Sequence, residues 1–149
     1  MGAGRASEHR HVRSILVSAP VAEVFDHISE PRNFVAADPA NVELKNVEMK
    51  AEGSGSTWET SFRVAGMPVH ARWTRREFQR NNRIVDHAST GMTWTFETAA
   101  EGPATRLTVS FAPETRSGVI NAILDRTATS EEPQLEAMVE AYRDAIESA

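Results

Sequence analysis

The stretch SAPVAEVFDHISEPRNFVAADP, Ser18–Pro39, is predicted to be helical, although most of the chain after it alternates like β-strand. Apolar residues recur in it at helical spacing and form one face, at Val21, Val24, Phe25 and Ile28. Ser18 is the expected N-cap of this first helix, and Pro31 ends it. RNFVAADP, Arg32–Pro39, is expected to add a second short helical turn.

The chain on both sides of this stretch is predicted to be β-strand. RHVRSILVS, Arg10–Ser18, is rich in β-branched residues and precedes the helices as one lone strand. Six more segments alternate between apolar and polar residues and are separated by short turns, which indicates an antiparallel meander. These predicted strands are Asn41–Ala51, Thr57–Ala65, Val69–Phe78, Arg83–Ser89, Met92–Ala99 and Thr105–Ala112.

The last third of the chain returns to helical spacing. Val119, Ile120, Ile123 and Leu124 suit a helix that follows Ser117. A longer apolar stripe then runs through Leu135, Met138, Val139, Tyr142 and Ile146. We expect one long C-terminal helix that is kinked or split near Pro133.

The order of these elements predicts an α+β fold of the helix-grip type. A seven-stranded curved antiparallel sheet buries one face, and the long C-terminal helix covers that face. The two short helices after strand 1 close one end of the gap between sheet and helix, while strand 1 runs along one edge. Residues 1–149 are expected to form a single domain, with residues 1–8 disordered.

Composition excludes several classes of function. The 149 residues carry a net charge of −5 and no cysteine, so disulfides, thiolate zinc sites and cysteine nucleophiles are excluded. Without a basic face, nucleic acid is not an expected partner, and the apolar runs are too short for membrane insertion. We find no motif for a metal or another cofactor, and we expect a cytoplasmic protein. Monomer and homodimer both remain open.

Two stretches resemble a known superfamily. ILVSAPVAEVFDHISEPRNF, Ile15–Phe34, is similar to the strand and helix opening of the Bet v 1/START-like (SRPBCC) superfamily. RIVDHASTGMTWTFETAAEGPATRLTVSF, Arg83–Phe111, resembles the paired late strands of its polyketide cyclase/dehydrase-like group. The resemblance implies an apolar cavity between sheet and long helix that holds a hydrophobic, aromatic polyketide- or lipid-like molecule. Such a space is physically reasonable, since a curved sheet and a helix need not meet at full packing density.

The residues expected to contact this ligand lie on the inward faces of the strands and of the long helix. Strand alternation and the cavity that the resemblance implies give Phe34, Trp58, Thr60, Phe62, Ala71, Trp73, Arg75, Val85, His87, Trp94, Phe96, Val109, Val119, Ile123 and Met138. An alternative is that these side chains fill the core completely and leave no cavity.

The strand VHARWTRREF, Val69–Phe78, has two possible registers. One places Val69, Ala71, Trp73, Arg75 and Glu77 inward, and the other places His70, Arg72, Thr74, Arg76 and Phe78 inward. We choose the first register because exposing Trp73 to water would cost more free energy than exposing Phe78. A buried Arg75 then needs a partner, which is Glu77, another carboxylate or a ligand oxygen.

His87 is the second candidate catalytic residue beside Arg75. It shares one strand face with Val85, while Ile84, Asp86 and Ala88 share the other, so His87 faces inward if Val85 does. A histidine among apolar neighbours can act as a general acid or base near neutral pH. The alternative is a hydrogen-bonded structural histidine.

Three functions fit these features. The chain is a non-catalytic carrier or sensor of a hydrophobic ligand, or a polyketide cyclase/dehydratase that uses Arg75 and His87, or an interaction protein with a filled core. The residues alone do not separate an enzyme from a binding protein, because cyclisation of a reactive chain depends largely on positioning in a shaped pocket.

Overall fold

The computed structural model describes residues 11–38, 41–64, 66–114 and 135–149. The expectations for residues 1–8, 117–124 and Pro133 lie outside these ranges. The described elements follow the expected order, with a seven-stranded antiparallel sheet and helices that match the helix-grip prediction. In chain order they are β1 (His11–Val17), α1 (Val21–Ile28), α2 (Pro31–Ala37), β2 (Asn41–Glu48), β3 (Thr57–Val64), β4 (Met67–Gln79), β5 (Arg83–Ala88), β6 (Met92–Glu101), β7 (Ala104–Pro113) and α3 (135–147).

The sheet has the strand order β1-β7-β6-β5-β4-β3-β2, and all neighbouring strands are antiparallel. β2 to β7 form the predicted meander. The last strand, β7, then pairs with β1 at the edge of the sheet, with Ile15 opposite Leu107. The helices inserted after β1 therefore let the first strand lie at one edge of the sheet, as predicted.

Helix α1 buries the predicted apolar face through Val24, Phe25 and Ile28. The prediction of Ser18 as its N-cap is wrong, because Pro20 occupies that position in extended conformation and makes no side-chain cap hydrogen bond. The backbone N–H of Ser18 donates instead to Glu147 Oε2 over 2.8 Å. That contact joins the end of β1 to the end of α3.

Helix α2 begins at Pro31. Proline is tolerated at this first position because backbone N–H groups in the first turn have no carbonyl partner within the helix. The Glu30 side chain caps it by accepting a hydrogen bond from the Arg32 N–H over 3.4 Å. The helix buries Phe34 and Ala37. This short helix thereby directs one phenyl ring, that of Phe34, into the core.

Helix α3 supplies the predicted apolar stripe to the buried core. Its inward side chains are Leu135, Met138, Val139, Tyr142 and Ile146, and each of them is buried.

Within the ranges that the structure describes, no helix is long and apolar enough to cross a membrane.

Candidate functional site

Aromatic side chains dominate the inner face of β3 and β4. Trp58 and Trp73 are directly opposite each other in the two strands, and their rings stack with a centroid distance of 6.2 Å. The Trp73 indole N–H donates to Thr60 Oγ1 over 2.8 Å, so this buried polar group is satisfied. The alternation that places Trp58, Thr60 and Trp73 inward is confirmed by their burial.

Thr60→Val is expected to lower the free energy of unfolding by about 1–3 kcal/mol, because it leaves the buried Trp73 N–H without an acceptor. Urea denaturation measures the change. Thr74→Val, on the exposed side of β4, is the matched control and should change stability by less than about 0.5 kcal/mol. Equal small effects at both positions would contradict the role assigned to the hydroxyl of Thr60.

Phe34 brings α2 onto this aromatic layer. Its ring makes edge-on contacts with Trp73, Trp94 and Phe96, at centroid distances of 5.4, 5.0 and 6.1 Å. Phe34 is 8% exposed. Its side chain therefore closes the space between α2 and the strands β4 and β6.

Arg75 is buried and forms an ion pair inside this apolar layer. Its Nε and Nη2 atoms donate to the two carboxylate oxygens of Asp86 over 2.8 and 3.0 Å, and Nη1 donates to the Ser29 carbonyl over 2.9 Å. The guanidinium also lies 5.0 Å from the ring centroid of Trp58. The inward orientation of Arg75 agrees with the prediction, but its carboxylate partner is Asp86 and not Glu77.

A β-bulge at Arg76 explains why the predicted face changes along β4. Arg75 of β4 pairs with Asp86 of β5, but the next pair along the two strands is Glu77 with Val85. Arg76 is therefore one extra residue in β4. The bulge turns Phe78 toward the core, where its ring meets that of Phe25 at 5.3 Å. The predicted inward orientation of Glu77 is therefore wrong.

The same bulge corrects the prediction for β5. An uninterrupted hairpin would continue the Glu77–Val85 register and place His87 opposite Arg75, but the extra residue places Asp86 there. Asp86 is buried, while Val85 and His87 are half-buried on the other face. The inward orientation predicted for Val85 and His87, on which the candidate catalytic role of His87 rests, is therefore wrong.

His87 takes part in a polar cluster on the outer face of the sheet. Its Nδ1 lies 3.2 Å from Thr93 Oγ1 and 3.5 Å from Glu114 Oε1. Burial lowers the pKa of His87, Arg76 lowers it further, and Glu114 opposes both. The ring is therefore expected to be mostly neutral at pH 7.

A small cavity lies beside the Arg75–Asp86 ion pair. Its volume is about 10 Å³, roughly the space that one water molecule needs. An organic ligand that enters this cavity therefore requires the side chains around it to move. The lining residues are Ile28, Pro31, Phe34, Trp58, Trp73, Arg75, Asp86 and Phe96.

The other residues predicted to contact a ligand have varied positions. Ala71, Phe96, Val109 and Met138 are buried, and Phe62 and Trp94 are partly buried against the same core. Val119 and Ile123 lie outside the described residues. The structure thus brings Phe34, Trp58, Trp73, Arg75 and Phe96 to one cavity, and it places Val85 and His87 elsewhere.

Sequence reasoning misses two polar residues of this region. Strand alternation assigns Asp86 to the outward face, and the apolar stripe of α3 gives Tyr142 no polar role. Burial raises the pKa of Asp86, although the Arg75 guanidinium opposes this rise. The requirement of a buried Arg75 for a carboxylate partner is the one available signal for Asp86.

Tyr142 is fully buried, and its ring meets that of Phe96 at a centroid distance of 6.4 Å. Its hydroxyl has no hydrogen-bond partner among the residues that the structure describes. Burial raises the pKa of Tyr142 strongly, and the negative charges of Asp86 and Asp38 raise it further. The hydroxyl is therefore protonated, and it lies within the electrostatic field of the ion pair.

The described ranges contain no group of three or more His, Cys, Asp or Glu side chains with the arrangement of a metal site. Among the described residues, the charged side chains that line the cavity are Arg75 and Asp86, and the ring of Tyr142 contacts Phe96, which also lines it. Of these, Arg75 and Tyr142 are hydrogen-bond donors.

The chain matches the sequence model of a family described as "Polyketide cyclase / dehydrase and lipid transport" over residues 8–147. Comparison with curated protein sequences gave no match. Among solved structures, TTHA0849 from Thermus thermophilus has a TM-score of 0.73 and 14% identity, with 93% of this chain and 97% of that chain covered. A START superfamily protein from Mycobacterium smegmatis has a TM-score of 0.70 and 16% identity, with 93% and 97% covered.

A third similar structure is larger than this chain. The di-domain ARO/CYC StfQ from the steffimycin biosynthetic pathway has a TM-score of 0.74 and 10% identity, and the match covers 98% of this chain and 54% of that chain. At these identities the three likenesses show a shared fold alone.

Proposed function

Because the chain belongs to the polyketide cyclase/dehydrase and lipid transport family, we propose that it binds a hydrophobic small molecule in the core, between the inner face of the sheet and the short helices α1 and α2. The molecule is of aromatic polyketide or lipid type, and its apolar part replaces the contacts that Phe34 makes with Trp73 and Trp94. Its polar group faces Arg75. The cavity beside Arg75 is the point from which this binding space opens.

The buried Arg75–Asp86 ion pair is the observation that carries this proposal. Such a pair adds little net stability, since removing two charges from water offsets most of their attraction. The ion pair still leaves Arg75 able to bind a ligand, because only three of its five guanidinium N–H groups have acceptors among the described residues. The two remaining N–H groups, on Nη1 and Nη2, are available to a ligand oxygen.

A second candidate function is polyketide cyclisation or dehydration, and the position of Arg75 favours it. In an aldol ring closure, the carbon next to one carbonyl loses a proton to give an enolate, and this carbon bonds to a ketone carbon as the C=O π bond of that ketone opens. Negative charge develops on the ketone oxygen, which then takes up a proton, so the closure is neutral overall. The free N–H groups of Arg75 would stabilise that oxygen, while Asp86 holds the guanidinium in place. The description of StfQ as an ARO/CYC supports this candidate, and Asp86 is the acid–base group that lines the cavity.

Fluorescence titration with the neutral probe N-phenyl-1-naphthylamine tests ligand binding. We expect saturable uptake of one probe per chain, and we expect 2-acetonaphthone to displace it. Arg75→Met combined with Asp86→Leu removes the ion pair while keeping an apolar core. This double variant should lower the affinity for the ketone by about tenfold, since hydrogen bonds to a charged group contribute roughly 1.5–3 kcal/mol.

Arg76→Gln is the matched control for this titration, because Arg76 is the next residue of β4 but pairs with Glu114 on the outer face. It should leave both affinities unchanged. Failure of the native chain to take up the probe saturably would reject the proposal.

We also propose a cytoplasmic location and no nucleic-acid partner. The lack of cysteine fits the first statement, and the net charge of −5 supports the second.

A further inference from the structure

The charge of Arg75 is already neutralised by Asp86. Both carboxylate oxygens of Asp86 accept hydrogen bonds from the guanidinium, and both side chains are buried. The pair therefore offers a ligand no net positive charge. A carboxylate that entered this space would lose its hydration and lie close to a second buried negative charge.

The polar groups of this region that lack a partner among the described residues include several hydrogen-bond donors. Arg75 retains two N–H groups without acceptors among the described residues, and the buried Tyr142 hydroxyl has no partner there. Phe96 joins the two groups, because it lines the cavity beside Arg75 and its ring also contacts that of Tyr142. An uncharged acceptor satisfies these donors without adding a charge.

We propose that the site selects ligands whose buried polar group is an uncharged acceptor such as a ketone, that it rejects the carboxylate of matching shape, and that Tyr142 donates the second hydrogen bond. This inference rests on the proposed ligand-binding function and specifies the ligand class for the same site. Asp86 is the residue that imposes the selection, and Arg75 and Tyr142 are the residues that hold the acceptor.

A matched pair of probes tests the selection. 2-Acetonaphthone and 2-naphthoate share one ring system and differ chiefly in the charge of the polar group. At pH 7.5 we expect the ketone to bind the native chain at least about tenfold more tightly than naphthoate does. A tenfold ratio in affinity is the same free-energy difference as one pKa unit. Equal or tighter binding of naphthoate would overturn this inference and leave the proposed function intact. Binding of neither probe would overturn both.

Asp86→Asn tests the origin of the selection. With Asp86 neutral, Arg75 carries an uncompensated charge, so naphthoate should gain affinity and the ketone should not. Asp26→Asn is the matched control, because Asp26 is exposed and forms an ion pair with Arg80 at the surface. An unchanged ketone-to-naphthoate ratio in folded Asp86→Asn would contradict the selection.

Tyr142→Phe tests the second donor without changing the shape of the core. Removing an unsatisfied buried hydroxyl should raise the melting temperature of the free protein, by about 3 °C. It should also weaken the ketone by about fivefold, as expected for one neutral hydrogen bond. A lower melting temperature with unchanged ketone affinity would overturn the role of Tyr142 and indicate a structural hydroxyl.

A spectroscopic measurement on the native chain needs no variant. The sequence contains a single tyrosine, so ¹³Cζ-tyrosine labelling gives one resonance, that of Tyr142. Addition of 2-acetonaphthone should shift it, whereas 2-naphthoate at the same concentration should not. A resonance that ignores a saturating ketone would exclude Tyr142 from the site.

Discussion

Arg75→Met lowers the free energy of unfolding by an expected 3–5 kcal/mol, about the loss found when one partner of a buried ion pair is removed. The reason is that Asp86 would remain buried without the guanidinium that binds both of its carboxylate oxygens. Urea denaturation at pH 7 measures the loss. The variant should recover stability as the pH falls, because burial raises the pKa of Asp86 and protonation then removes the unpaired charge.

Two further variants make this result interpretable. Arg75→Met with Asp86→Leu removes both charges and should regain most of the lost stability. Arg76→Met removes an exposed arginine one residue away, whose ion pair with Glu114 should contribute no more than about 1 kcal/mol. If Arg75→Met and Arg76→Met were equally mild, the ion pair would not have the buried character described above.

Phe34→Ala has the second large expected effect, a loss of about 3 kcal/mol together with a gain in ligand uptake. The phenyl ring of Phe34 lines the small cavity and contacts Trp73, Trp94 and Phe96 edge-on. Its removal leaves a larger cavity that neighbouring groups fill only in part. We therefore expect N-phenyl-1-naphthylamine to bind more tightly and to raise the melting temperature of the variant more than that of the native chain.

Phe111→Ala is the control for this effect, since Phe111 is also buried but does not line the cavity. It should lose similar stability without gaining affinity for the probe. If both variants gained equally, uptake would reflect general loosening of the core, and Phe34 would not be the side chain that closes the binding space.

The sequence predicts the fold well because periodicity is a strong local signal over long segments. The expected period is present in β3, in β4 as far as Arg75, in the first helix and in the stripe from Leu135 to Ile146. The edge position of β1 follows from the insertion of two helices after it. Strand ends are less certain, since β2 stops at Glu48 and not at Ala51.

The site is harder to predict because it depends on one extra residue in β4. Trp73 and Arg75 precede the bulge, so alternation assigns them correctly, whereas Glu77 follows it and is assigned to the wrong face. The bulge also replaces His87 by Asp86 opposite Arg75. No local feature of the sequence marks this bulge, and alternation alone defines two faces without saying which one is inward.

Tyr142 escapes prediction for a different reason. Its apolar neighbours on α3 predict burial correctly, but a sequence does not reveal whether a buried hydroxyl finds a hydrogen-bond partner. That property depends on the groups of distant strands, here the layer around Phe96. That this hydroxyl lacks a partner among the described residues is therefore visible only in three dimensions.

The side-chain Nε–Hε resonance of Arg75 reports directly whether a ligand oxygen enters the core and binds this arginine. This group is 2% exposed and bound to Asp86, so its hydrogen should exchange slowly and give a resolved signal in ¹H–¹⁵N spectra. We expect this resonance, identified by its loss in Arg75→Lys, to shift saturably when 2-acetonaphthone is added. If it stays fixed while only exposed arginines such as Arg76 respond, the ligand does not enter the core and Arg75 does not bind it.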